Sequence, residues 1–249
     1  MSYTTITMAA IFATAVAQAG PLKFEVASIK PVDPNQNRVS VQMTPGGRYV
    51  ASAVTVSFLI QQAYGIRDFQ IAGAPDWIRT LRWEINAKPE SGAAVDPESI
   101  RIMMQALLAD RFQLKFARET KEMPVYHLTV GKGGVKLKES DIPGDGSGRA
   151  QTMRMGRGQM SLQGAPMTAL ATQLAGQLGR TVIDQTGLGG SYDITLKFSP
   201  DSTQQSTQGS DSDSPTIFTA LQDVGLKLES AKGPVEVLTV ERVERPSEN

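Results

Sequence analysis

ALLADRFQLKFARETKEMPVYHLTV, Ala106 to Val130, has a weaker copy near the other end of the chain, ALQDVGLKLESAKGPVEVLTV, Ala220 to Val240. Both copies leave an apolar-periodic helix for a strand of alternating character, Phe112/Leu114/Phe116 in one and Leu226/Leu228 in the other. A polar turn is expected next. Each copy then re-enters a strand that opens Pro-Val and closes Leu-Thr-Val, Pro124 to Val130 and Pro234 to Val240, an offset of 234 − 124 = 110. The stretch predicts a chain built twice.

Working outward, offsets of 109 to 118 recur in separate elements, which is stronger evidence of internal repetition than any single match. KFEVASIK, Lys23 to Lys30, alternates as a half-buried strand does, and Val135 to Lys138 is its counterpart. Arg38 to Met43 and Arg48 to Ala53 read as a hairpin around Thr44-Pro45-Gly46-Gly47, repeated at Gln151 to Leu162. Val56, Leu59, Ile60 and Ala63 share one helix face that stops at Gly65; Met167, Leu170, Ala171 and Leu174 share another that stops at Gly179. Trp83/Ile85/Ala87 and Tyr192/Ile194/Leu196 alternate as strands, the second as half of a hairpin over 182–198. Asp96-Pro97 and Ser214-Pro215 open a second helix in each copy.

The expected fold is therefore α+β: two tandem duplicated domains, each with two helices packed on a small, mainly antiparallel sheet. Residues 1–20 (MSYTTITMAAIFATAVAQAG) carry a short apolar run ending in Ala17-Gln18-Ala19, which reads as a secretory signal with its cleavage site. The first repeat is placed at 21–133 and the second at 134–249, divided at Gly131 to Gly134, with a disordered loop at 199–214. Export to the periplasm or beyond follows as the expected location.

Composition removes several classes of function. Lys plus Arg and Asp plus Glu each total 25, so the chain has none of the net basic charge that drives nucleic-acid binding. No apolar stretch approaches the roughly 20 residues of a membrane span. Cysteine is absent, and with it thiolate metal sites and cysteine nucleophiles. A single histidine, His127, excludes paired-histidine metal sites and leaves one imidazole base, which its strand alternation marks as a packing residue.

Asp184 and Asp193 flank Thr186-Gly187-Leu188-Gly189-Gly190, and two carboxylates across a hairpin suit a cation or an acid/base pair. Turn entry accounts for them more simply. Arg149, Arg154 and Arg157 form a basic run read as a solvated hairpin face. Trp77 and Trp83, with Tyr64 and Tyr126, suit either an apolar groove or ordinary packing. No catalytic, cofactor-binding or metal-binding residue is assigned, and no cofactor is expected.

FEVASIKP (Phe24 to Pro31), IAGAPDW (Ile71 to Trp77), the Leu107 to Leu128 stretch, DQTGLGGSYDITLKF (Asp184 to Phe198) and GLKLESAKGPVEVL (Gly225 to Leu238) together resemble a soil-associated protein family of Acidobacteria, a domain of unknown function. That resemblance brings no catalytic residue. Relatives fused behind membrane metallopeptidases imply an envelope sensing role, but no H-E-x-x-H string occurs here. The rhythm of elements is similar, more loosely, to secretin and TonB N-terminal short domains, which implies protein interaction. The expected function is a non-enzymatic binding or interaction module of the cell envelope, its partner an envelope protein or peptide segment. An enzyme acting through carboxylates and a small-molecule sensor with a groove between the repeats stand as the alternatives.

Overall fold

The computed structural model describes residues 22–33, 36, 38–44, 47–90, 96–142, 148–156, 158–199 and 215–246. The expected signal segment and nearly all of the 199–214 loop lie outside the described residues. Twelve strands among these residues form three four-stranded sheets.

The organising unit is a pair of long antiparallel strands, β6 (Lys115–Val130) and β12 (Leu226–Arg242), matched residue for residue over most of their length. The polar turn expected within each copy is absent. Arg118 to Glu122 continue the strand because Leu238 to Pro234 opposite supply its ladder, so charged residues that look like a turn locally become an exposed strand face. The prolines are accommodated by position. The Tyr126 N–H points outside the pair, to the Thr181 carbonyl at 2.9 Å, so Pro124, two residues earlier, lacks only an N–H that would face away from β12. Pro234, opposite Glu122, is its mirror image. Met123 faces Gly233, and 233 − 123 = 110 is the internal offset itself, so the midpoint of the pair is the centre of the repetition.

On one flank of this pair runs β10 (Val182–Asp184), parallel to β6; on the other runs β4 (Ile71–Ala72), parallel to β12. Each long strand is thus flanked by a short strand from the opposite half of the chain. The hairpin expected over 182–198 does not form: β10 joins this central sheet while β11 (Tyr192–Lys197) belongs to another.

The outer sheets share one strand order. In the first, β1 (Phe24–Pro31), β5 (Arg82–Pro89), β3 (Tyr49–Thr55) and β2 (Ser40–Met43) lie side by side. In the third, β7 (Lys138–Glu139), β11, β9 (Gln159–Ala165) and β8 (Thr152–Gly156) do the same. Helices α1 (Val56–Tyr64), α2 (Trp77–Thr80) and α3 (Pro97–Arg111) come from the first half, α4 (Met167–Leu178) and α5 (Ile217–Asp223) from the second. Their ends follow local chemistry. The Thr55 hydroxyl accepts the Phe58 N–H, the Asp96 carboxylate accepts those of Glu98 and Ser99, and Gly65 and Gly179 close α1 and α4 at φ of 67° and 61°. The cap of α5 is Thr216 rather than the expected Ser214, which lies outside the described residues.

Two tandem domains, each with two helices on a sheet of its own, are therefore not what forms. The described residues hold more strand than helix, and the two longest strands hydrogen-bond in a sheet that belongs to neither half. The cores interlock accordingly. Leu238 and Val240 of β12 pack into the core of the first half, and Leu128 of β6 into that of the second. The physical reason is the length of the pair: a strand of 16 or 17 residues has too many N–H and C=O groups to satisfy within a small sheet.

Candidate functional site

The residues singled out by sequence do not converge. Asp184 ends β10, and one carboxylate oxygen accepts from both the Thr186 N–H (3.0 Å) and the Thr186 hydroxyl (2.8 Å), an Asx turn that redirects the chain. Asp193 lies on β11, in a different sheet. The Ser140 hydroxyl, the Gly164 N–H at 3.1 Å and the Lys138 ammonium hold its carboxyl below the usual carboxylate range. Each aspartate is committed to backbone shape. His127 sits half-buried in β6, between Glu229 of β12 and Ile183 of β10. Trp83 is buried, edge-on to Phe112 with ring centres 5.8 Å apart, and its indole N–H has no hydrogen-bond partner among the described residues. It walls a depression of about 410 Å³ beside Leu81 and Arg245, while the Arg245 guanidinium lies over the Trp77 ring at 5.8 Å.

What the fold does bring together is a trough beneath the open edge of the first sheet. Strand β2 is the last in its order, and Val41 and Met43 project from it on the same face as their cross-strand neighbours Ala51 and Tyr49. Those neighbours are buried; Val41 and Met43 are 44% and 43% exposed. Phe58 of α1 and Ile100 and Met104 of α3 line the same space as Val41, Met43 and Tyr49, which enclose a cavity of about 660 Å³ at this edge. Burial pushes the Tyr49 hydroxyl up to about 12, which keeps it neutral on the trough wall.

The far rim comes from the second half. Arg67 donates to the Thr172 carbonyl of α4 at 3.0 Å, and its guanidinium rests where a side chain on Gly176 would stand, 3.3 Å from that glycine's missing Cβ. Thr172 and Arg149 line both this trough and a second one of about 390 Å³ beneath β8, where Met153, Leu162 and Ala169 form the apolar surface. The second trough repeats the first. Met153 and Met155 pair with Leu162 and Met160, as Val41 and Met43 pair with Ala51 and Tyr49. Because 162 − 51 and 160 − 49 are both 111, Val41 corresponds to Met153 and Met43 to Met155. Among the described residues seven large apolar side chains are exposed, and five of them, Val39, Val41, Met43, Met153 and Met155, lie on or beside these two edge strands.

Motif reading passes over these residues, because their exposure depends on the strand order, in which no described strand lies beyond β2 or β8, and not on local pattern. The basic run near β8 was noticed, but as a solvated face. Arg154 is exposed there, Arg149 lies on the rim between the troughs, and Arg157 is outside the described residues.

The architecture defines a class: an α+β protein with a central sheet shared by two interlocked halves and open-edged outer sheets. Over residues 57–243 the chain matches the model of a family described as a protein of unknown function (DUF3738), and it belongs to that family. No curated protein and no solved structure matches it. No helix among the described residues is long and apolar enough to cross a membrane.

Proposed function

We propose that this protein is a non-enzymatic interaction module of the cell envelope that receives an extended segment of a partner protein along the open edges of its outer sheets. The observation that carries this reading is the set of apolar side chains exposed on the core face of β2 and β8, each above an unfilled trough. A sheet edge offers unpaired N–H and C=O groups, and an added strand satisfies them while its alternate side chains fill the space below. The long strands β6 and β12 do not offer such an edge, because both are inner strands of the central sheet. Separation of Asp184 and Asp193 into different sheets speaks against the carboxylate enzyme.

Export through cleavage near Ala19 and a place among soil-associated Acidobacterial proteins belong to the same reading, as does kinship with secretin and TonB short domains. Mature protein recovered from the envelope fraction with its N-terminus at Gly20 or Pro21 supports the location; a retained Met1 removes it. The binding role is tested by a photo-crosslinking amino acid placed at Val41, at Met153 and, as control, at Glu122 on the exposed face of β6. Adducts to one partner are expected from the two edge positions and not from Glu122. Equal labelling from all three, or none from the edges, rejects the reading. A small-molecule sensor is the second reading, favoured by the 660 Å³ volume of the larger trough, which lies within the usual range of ligand sites.

A further inference from the structure

Charge along the chain says what kind of segment fits these edges. Although acidic and basic residues balance over the whole protein, no Asp or Glu occurs in residues 34–67 or in residues 146–183. The first stretch contains Arg38, Arg48 and Arg67 and so carries +3; the second contains Arg149, Arg154, Arg157 and Arg180 and carries +4. These two stretches hold β2 with β3 and α1, and β8 with β9 and α4, the elements that form the edges and much of the trough walls. Not all of this charge is available to a ligand. The Arg48 guanidinium donates to the Asn86 side-chain Oδ1 at 2.8 Å and Arg67 to the Thr172 backbone carbonyl, while Arg101 on the α3 side pairs with Glu98 at 2.7 Å. Arg38 and Arg154 stand exposed at the edge strands themselves.

We infer that each open edge takes an extended polypeptide segment that alternates apolar and acidic residues, two such segments per chain, one along β2 and one along β8. Apolar side chains on one face of the incoming strand enter the trough. The acidic ones between them meet a surface that has arginine and no competing carboxylate of its own strands. The equivalence of Val41 with Met153 and of Met43 with Met155 makes the two sites alike in register, so one segment type serves both. This inference rests on the edge reading of the proposed function and adds to it the charge and the number of segments.

The test is calorimetric titration of the full chain with two capped octapeptides, one alternating Val and Glu, the other Val and Lys. The Val-Glu peptide is expected to bind at two per chain, several-fold more weakly at high salt, and at least tenfold more tightly than the Val-Lys peptide. Two variants address the β2 edge. The Thr44 N–H donates inward to the Arg48 carbonyl, so by strand alternation the Val41 N–H points outward and Val41→Pro removes an edge donor without breaking the ladder. Met43→Glu keeps the backbone and sets a carboxylate on an exposed side chain. Either variant should lower the count from two to one, and Met155→Glu should do the same at β8.

Equal binding of the Val-Lys peptide, with Val41→Pro still removing a site, overturns the acidic partner and leaves edge binding in place. A single site in the unaltered protein overturns the pairing of the two edges, and failure of the Val-Glu peptide to bind overturns the inference as a whole. Two sites retained in both β2 variants overturn the inference and the edge reading together.

Discussion

The two halves build the same outer sheet with different fastenings. In both, the strand next to the open edge, β3 or β9, carries a bulge at a residue of positive φ, Ala53 at 55° and Gly164 at 59°, with 164 − 53 = 111. In the first half the Arg82 guanidinium donates to the Ala53 carbonyl at 3.1 Å; in the second the Asp193 carboxylate accepts the Gly164 N–H. A cation holds one bulge and an anion the other. A second pair of left-handed residues, Gln113 at 51° and Gly225 at 80°, leads into the two long strands. Buried aromatic residues differ too: the Tyr192 hydroxyl donates to the Gly189 carbonyl at 3.0 Å, whereas the Trp83 indole N–H has no partner among the described residues. Backbone shape recurs because strand pairing demands it, and the side chains that secure it are interchangeable.

The comparison breaks first at Gly225. A Cβ there would stand 2.0 Å from the Gly134 carbonyl oxygen, at a φ that L residues resist, so Gly225→Ala should cost about 3 kcal/mol in denaturant unfolding. Unchanged stability would show that the Gly134 turn moves freely. Next comes the bulge. Gly164→Ala meets the Gln151 side chain at 2.9 Å and should cost about 2 kcal/mol, while Ala53→Gly relieves strain, loses a buried methyl and should stay within about 1 kcal/mol. Equal effects at the two bulges would mean that they are not equivalent.

Tyr192→Phe should lose about 1 kcal/mol with its hydrogen bond, measured the same way. His127→Val should change stability by less than about 0.5 kcal/mol, since Val237 occupies the corresponding strand position in the second half. A larger loss would give the imidazole a structural role of its own.

The smallest effect is local and depends on pH. The carboxyl of Asp193 is depressed in the folded protein, so its bond to Gly164 is fully present above the ordinary Asp value of about 3.9 and is lost as pH falls through the lower folded value. The Gly164 amide resonance should titrate in that acid range by NMR, and the Ala53 amide, in a residue held through its carbonyl by the Arg82 guanidinium, should not. Matching titrations at both amides would refute the difference in fastening.

Much of this was legible locally. Gly65, Gly179 and the Asp96-Pro97 pair mark helix ends by chemistry that acts within a few residues, and each stands where its pattern indicates. Arg118 to Glu122 were misread for the opposite reason: they are strand only because Pro234 to Leu238, more than a hundred residues away, lie beside them. The separation of β10 from β11 has the same origin. The candidate site was illegible as a motif, because Val41 and Met153 look like ordinary strand residues until the order of strands shows that no described strand lies beyond β2 or β8. Its one sequence signal, the absence of acid from residues 34–67 and 146–183, is visible only over windows longer than any single element.

The pairing of β6 with β12 also sets a timetable. Met123 leaves the ribosome 110 residues before Gly233, its partner. At typical translation rates of about 5–20 residues per second, β6 waits roughly 5 to 20 seconds with its ladder groups unmatched. Throughout that interval β6 is a long strand without its partner, and whatever shields it from its neighbours must act before synthesis ends.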